Sequence, residues 1–524
     1  SEFIVGHLER ALELDAKRSS HPIEVPLQGD NVESAINEIF DAISYSKGAS
    51  VLRMLSKMVG EDVFLKGVSI YLKKHLYENA VTQDLWKGIS ESSGLDIPKI
   101  MDKWVLDQGF PVITVTEGKD EIKVRQNRFL STGDVKDEED KTLWYVPLEL
   151  KTVGPNGAQV DSSVVLKEER ETTIPIKDVE NAAWKLNADT VGVYRVAYSP
   201  ERLAKLGAEA VKADSAFSLE DRVGLLSDAH TLAKAGYAKT SGTLTFLKTI
   251  TDEPTFLVNN AATGALGDMM SVWFEEPEDV QKALQKFGAE FFGPKAKRLG
   301  FDQKDGDSVD TQQLRLVAIS AAATGEDEWT LGEIKKRFNA LLEGDDSQIP
   351  ADLLATVYSN AVKHGSEREY NKVVDIYRKP PTPTHKIASM MAMCAARDQA
   401  LIQRTLEFLY SGEVKEQDFL HYFRGMSARL ATRRPLWADL KQRYDVLAER
   451  FSGNFALSRL IECSFGMLAS DKDAQEVEAF FKTKDTKKFN MGLSQGLEGV
   501  RARAAWLERD REDVKQWLQS HGYL

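Results

Sequence analysis

The hydrophobic period of this chain changes twice, and those changes constrain its fold more than any other feature. From Ser1 to about Phe110 apolar residues recur at three-and-four spacing, as on one face of a helix. At Gly109-Phe110-Pro111 the period drops to two. Ile113 and Val115, Ile122 and Val124, Val146, Leu148 and Leu150, then Tyr194, Val196 and Tyr198 alternate as half-buried strands do. Glu117-Gly118-Lys119-Asp120 and Gly154-Pro155-Asn156-Gly157 read as the turns between them. Beyond Ser199-Pro200 the helical spacing returns and holds to Leu524.

These switches predict a multidomain, mainly α protein in three parts, in keeping with its 524 residues. Residues 1–109 form a helical part, 110–199 a small β-sandwich, and 200–524 an α-solenoid of the HEAT or armadillo kind, although no literal repeat recurs at fixed period. About 110 helical residues with a one-sided stripe need something further to pack against, so a neighbour upstream is expected. Local signals sharpen the boundaries. Ser20-His21-Pro22 breaks the first helix, Thr82 is read as the cap of the next-to-last helix before the strands, and Ser218-Leu219-Glu220-Asp221 resembles a capping box.

Composition removes several classes of function. With 42% apolar and 28% charged residues the chain is globular, and no run approaches the ~18 apolar residues of a membrane span. Its 81 acidic residues against 68 basic ones, net −13, exclude nucleic acid and anionic membrane as expected partners. Cys394 and Cys463 lie among apolar residues in helical stretches, which predicts free thiols and a cytoplasmic protein.

One stretch carries candidate chemistry. In Phe40–Val59, FDAISYSKGASVLRMLSKMV, the residues Ala49, Leu52, Leu55, Met58 and Val59 make an apolar stripe with Tyr45 on the same face, near the helix start. Gly48, lacking a Cβ, would let another segment pack close to Tyr45. Such a tyrosine packs its ring in a core, or donates from a neutral phenol to a developing oxyanion. Spacing alone leaves both readings open. Among the eight histidines no two stand four apart, so H-E-x-x-H is missing and no zinc site is expected in this chain. A G-x-S-x-G elbow and a phosphate loop are missing too. Arg125, Arg128 and Arg195 read as the solvent face of strands.

The pattern ISYSKGASVLRML, with RSSHPIEVP before it and WVLDQGFPVITV after it, resembles the gluzincin zinc aminopeptidases. These include the puromycin-sensitive and alanine aminopeptidases, and the likeness is greatest to the fungal cytosolic alanine/arginine enzymes. LNADTVGVYRVAY, DRVGLL and AAWLERD extend the likeness along most of the chain. The resemblance implies that residues 1–109 are the helical end of a thermolysin-like catalytic domain. It implies Tyr45 as the oxyanion donor and Phe40 as a wall of the pocket for the first side chain of a peptide substrate. Zinc, its ligands and the glutamates for the free amino terminus would then belong to a missing N-terminal catalytic half, and this portion would be inactive alone. Arg433, Arg434 or Arg459 could hold the far carboxylate of a peptide, or be ordinary surface or intrahelical pairs. A non-catalytic helical interaction scaffold is the alternative reading.

Overall fold

A computed structural model describes residues 2–26, 41–452 and 456–524. Two compact units result, Ser1–Glu253 and Pro254–Leu524.

In the first unit, helices Glu9–Asp15, Gly48–Val59, Glu61–Lys74, Thr82–Ser93 and Ile97–Leu106 precede nine strands. The strands are β1 (Pro111–Glu117), β2 (Glu121–Arg128), β3 (Tyr145–Pro147), β4 (Leu150–Gly154), β5 (Gly157–Asp161), β6 (Val165–Lys167), β7 (Glu171–Pro175), β8 (Ala183–Lys185) and β9 (Arg195–Ala197). They make a four-stranded sheet in the order β7-β2-β1-β9, a three-stranded sheet β5-β4-β8 and the pair β3-β6. All pairings are antiparallel except β1 with β9. Both expected turns close hairpins: Gly118 N donates to Glu121 O at 2.8 Å, and Gly154 pairs with Gly157. Helices Pro200–Ala210, Leu219–Ala235 and Thr240–Thr249 fall within this unit too.

Period two governs β2, where Ile122, Val124, Gln126 and Arg128 are buried while Glu121, Lys123 and Arg125 are exposed. The solvent-face reading therefore holds for Arg125 and fails for Arg128 and Arg195. Arg128 lies against Gly109, where a Cβ would come within 2.9 Å of its Nε and where φ is +87°. Arg195 is 2% exposed because Glu9 and Asp228 neutralise it, at 2.7 and 3.0 Å. Removing one partner of such a buried pair typically costs about 3–5 kcal/mol. A second buried cluster joins sheet to helix: Asp221, at the start of Leu219–Ala235, accepts from Lys151 and, at 2.8 Å, from Lys185. Burial pushes the Asp221 carboxyl up, but the two lysines outweigh it and hold it at about 2. A third is Arg202, bidentate to Glu117 at 2.8 Å through Nε and Nη2 and stacked over Trp184.

Ser218 forms the expected capping box, accepting from Asp221 N at 3.2 Å while its own N–H donates to Asp221 Oδ2. The cap read at Thr82 is displaced by one residue. Val81 is the N-cap, and its N–H donates to Asp84 Oδ2 at 3.1 Å, so the aspartate one turn in satisfies the helix end.

Among its described residues the second unit holds helices and no strand. Helices pack against their sequence neighbours and against the next but one, as Leu354–His364 does on Pro383–Met393 and Phe419–Ala428 on Ala456–Phe465. Aromatic edges pin these layers, for instance Trp273 against Trp506 and Trp437 against Phe465. Cys394 is buried and Cys463 half-buried, both as free thiols. No helix among the described residues is long and apolar enough to cross a membrane.

Candidate active site

Tyr45 lies in a π-helical turn, Ile43–Lys47, that runs directly into the α-helix Gly48–Val59. Such turns carry one surplus residue and recur at functional sites. Asp41 secures its start: Oδ1 accepts from Ile43 N at 2.8 Å and from Ser44 N at 3.2 Å, and Oδ2 meets His21 Nε2 at 2.8 Å. Pro22 O in turn receives His21 Nδ1 at 2.7 Å, so the imidazole bridges two segments. Its place in RSSHPIEVP gave no hint of this.

The turn is held from beneath by a buried ion pair. Lys47, fully buried, reaches Asp15 Oδ2 at 2.8 Å and donates to Gly109 O at 3.0 Å. Asp15 Oδ1 accepts from Gly109 N at 2.9 Å and from Ser20 Oγ at 2.6 Å. Helix Glu9–Asp15, the π turn and the entry to β1 are thus joined at one point. Further along the same helix, Arg53 donates to Thr190 O at 2.9 Å. Burial lowers the Arg53 pKa. Thr190, like Asn187 and Asp189 beside it, has positive φ, a strained conformation for a β-branched residue that this contact helps to hold.

The buried face of the helix differs from the predicted stripe. Ile43, Ser46, Lys47, Ser50, Val51, Met54 and Leu55 face inward, while Ala49, Leu52, Met58 and Val59 are half-buried. The first two turns bury polar residues, so an apolar count finds the wrong phase. Tyr45 stands off that face and is 63% exposed, which removes the core-tyrosine reading. The close approach expected at Gly48 is not seen among the described residues, since a Cβ there meets nothing within 4 Å. Phe40 lies outside the described residues.

Other candidates separate clearly. Arg433 donates to Ser427 O, Ser271 O and Ser271 Oγ, each at 2.7 Å, and Arg434 grips Glu275 and Asp473. Both are occupied by the fold. Arg459 is exposed. Among the described residues no group of three or more His, Cys, Asp and Glu is placed to hold a metal ion.

Large apolar side chains are exposed mainly in the first 109 residues. Of sixteen such residues among the described ones nine lie there, among them Leu65, Leu72, Leu76 and Tyr77, in about a fifth of the chain.

Residues 1–104 match the peptidase family M1 domain, and residues 184–502 match the ERAP1-like C-terminal domain. The alanine/arginine aminopeptidase of Saccharomyces cerevisiae is 38% identical over 523 residues, covering 100% of this chain and 60% of the relative. "Aminopeptidase 2, mitochondrial" of the same yeast is 39% identical, covering 100% and 54%. Aminopeptidase M1-A of Oryza sativa subsp. japonica is 31% identical, covering 96% and 56%. The chain spans a little over half the length of these relatives.

Proposed function

Because the chain belongs to the M1 aminopeptidase family, we propose that it is the C-terminal portion of a zinc aminopeptidase that removes single residues from peptide N-termini. In this reading residues 1–109 end the catalytic domain, 110–199 form a β-sandwich, and 200–524 form a solenoid that closes the peptide chamber. The packing of helices on their next-but-one neighbours supports the last of these. The missing N-terminal half would hold the zinc and supply its ligands, and the protein would act in the cytoplasm.

One observation carries the reading: the phenol of Tyr45 is exposed on a turn fixed by Asp41 from one side and by the Lys47–Asp15 pair from beneath. A donor fixed before reaction needs no reorganisation as charge develops on the oxygen of the attacked peptide bond. Phe40 would line the pocket for the first side chain. The exposed apolar residues of the first 109 supply a surface for the missing half, in line with the greater length of the relatives.

The test is Tyr45→Phe in the full-length protein that contains this chain. Loss of one such donor lowers kcat by about a hundredfold or more with little change in KM. A loss below about threefold overturns the assignment. The purified chain should neither bind zinc nor hydrolyse alanyl or arginyl amides. Zinc bound one to one, with chelator-sensitive turnover, would show that no second half is needed.

A further inference from the structure

Two adjacent residues, Ser20 and His21, fasten the two ends of the Tyr45 turn. Ser20 Oγ donates to Asp15 Oδ1 at 2.6 Å, and Asp15 holds Lys47, the last residue of the turn. His21 Nε2 meets Oδ2 of Asp41, whose Oδ1 accepts from Ile43 N, at the first residue of the turn, and from Ser44 N. The two fastenings differ in their access to solvent. The side chains of Lys47 and Asp15 are sealed, at 0% and 1% exposure, whereas those of His21 and Asp41 keep 25% and 27%.

The His21 end also has a proton requirement. Nδ1 stands 2.7 Å from Pro22 O, and Nε2 stands 2.8 Å from Asp41 Oδ2. A carbonyl oxygen and an ionised carboxylate both accept and neither donates. A neutral imidazole carries one N–H, so it serves one of these contacts and turns a lone pair toward the other oxygen. Both bonds form together when the ring carries two protons and faces Asp41 as a cation. Neighbouring charged groups are directed elsewhere: Arg18 pairs with Glu139 at 2.7 Å and Asp134 at 3.0 Å, and Glu24 accepts from Thr82 Oγ1 at 2.8 Å. His7 approaches the same turn, its Nδ1 3.3 Å from Ser46 Oγ. A hydroxyl donates as well as accepts, so that contact survives either protonation state of His7. Among the described residues Asp41 is the one charged group within ion-pair distance of the His21 ring.

We propose that His21 is a positioning residue for the reaction assigned above to Tyr45: as an imidazolium it holds Asp41, Asp41 holds the start of the π turn, and loss of the proton loosens the turn that carries the phenol. Only the catalytic consequence rests on the Tyr45 reading; the link from His21 to the turn stands on the contacts themselves. The sign follows from the proton count. Ordering of the turn is complete on the acid side of the His21 titration, above the carboxylate range, and declines as pH rises through it.

Fluorine NMR of the whole chain, with para-trifluoromethyl-phenylalanine in place of Tyr45, reads the turn through a ring that has no titrating hydroxyl. Its resonance should move through one inflection between about pH 5 and about pH 9. His21→Gln, which keeps a neutral donor for Asp41, should abolish the inflection, and His7→Gln should leave it. Should His21→Gln fail to fold, Asp41→Asn takes its place and should abolish the inflection too, because an amide can donate to a neutral imidazole. In the full-length protein that contains this chain, kcat should fall as pH rises through the same inflection. There His21→Gln should remove that limb and lower kcat on its acid side by about threefold or more, with KM within about twofold. Added to Tyr45→Phe it should have no further effect, because the hydroxyl it positions is gone. A resonance that does not move with pH, an inflection that survives His21→Gln or vanishes with His7→Gln, or an equal loss of kcat with and without the Tyr45 hydroxyl would each overturn the proposal. A Tyr45→Phe protein that keeps its rate would strike the Tyr45 reading alone, and the fluorine titration would still decide whether His21 holds the turn.

Discussion

Two cations of this molecule, one in each unit, are held on opposite terms. Under the Tyr45 turn, Lys47 is met at once by Asp15 and by Gly109 O, so the charge is balanced within the fold and the phenol above it is left exposed. In the second unit Arg429 is half-buried, with Ser359 Oγ as its hydrogen-bond partner among the described residues. A matched buried charge is a fastening, and removing it damages the structure. A half-buried one with no carboxylate beside it is not.

The contrast breaks most visibly at Lys47. Lys47→Met leaves Asp15 buried without its cation and should cost about 3–5 kcal/mol of stability in a denaturant titration of the first unit, while Arg429→Met costs nothing comparable. Equal costs at the two positions would erase the distinction. Acid offers a second, smaller probe at Asp221, matched by Lys151 and Lys185. Its carboxyl is depressed to about 2 in the fold, so its contribution is complete above the ordinary carboxylate range. It is lost as pH falls from about 4 to about 2, and amounts to about 2 kcal/mol. Asp221→Asn should flatten the pH dependence of stability over that window, whatever its effect at neutral pH. The smallest effect is expected at Gly48, where φ is −54° and a Cβ meets nothing within 4 Å. Gly48→Ala should stabilise by about 0.5–1 kcal/mol. At Gly224 a Cβ would lie 2.0 Å from Thr190 Oγ1, and the same change should destabilise by about 1–3 kcal/mol in thermal melts.

How much of this was legible in the sequence follows from the same distinction. The two changes of period marked the strand region, and Gly118 and Gly154-Pro155-Asn156-Gly157 marked its hairpins, because turns and alternation are local properties. The capping box at Ser218 was legible for the same reason. The burial of Arg195 was not, since Glu9 lies 186 residues away and Asp228 another 33 on the other side. Nor was the true face of the Tyr45 helix, because Ser46, Lys47 and Ser50 turn inward where apolar counting expects surface. Tyr45 itself was found through the motif around it. Arg429 had no sequence signal at all: what distinguishes it is that no carboxylate pairs with it among the described residues, and only coordinates display that.

The winding of Ile43–Lys47 has one more consequence. A surplus residue there sets the direction of the phenol, and one residue of an α-helix is worth about 100° of rotation. Deleting or inserting a single position between Asp41 and Lys47 would swing Tyr45 away while leaving the helix beyond it intact. This segment can therefore tolerate changes of letter far better than changes of length, and in any collection of such chains a gap at this place should mark those that have given up the hydroxyl.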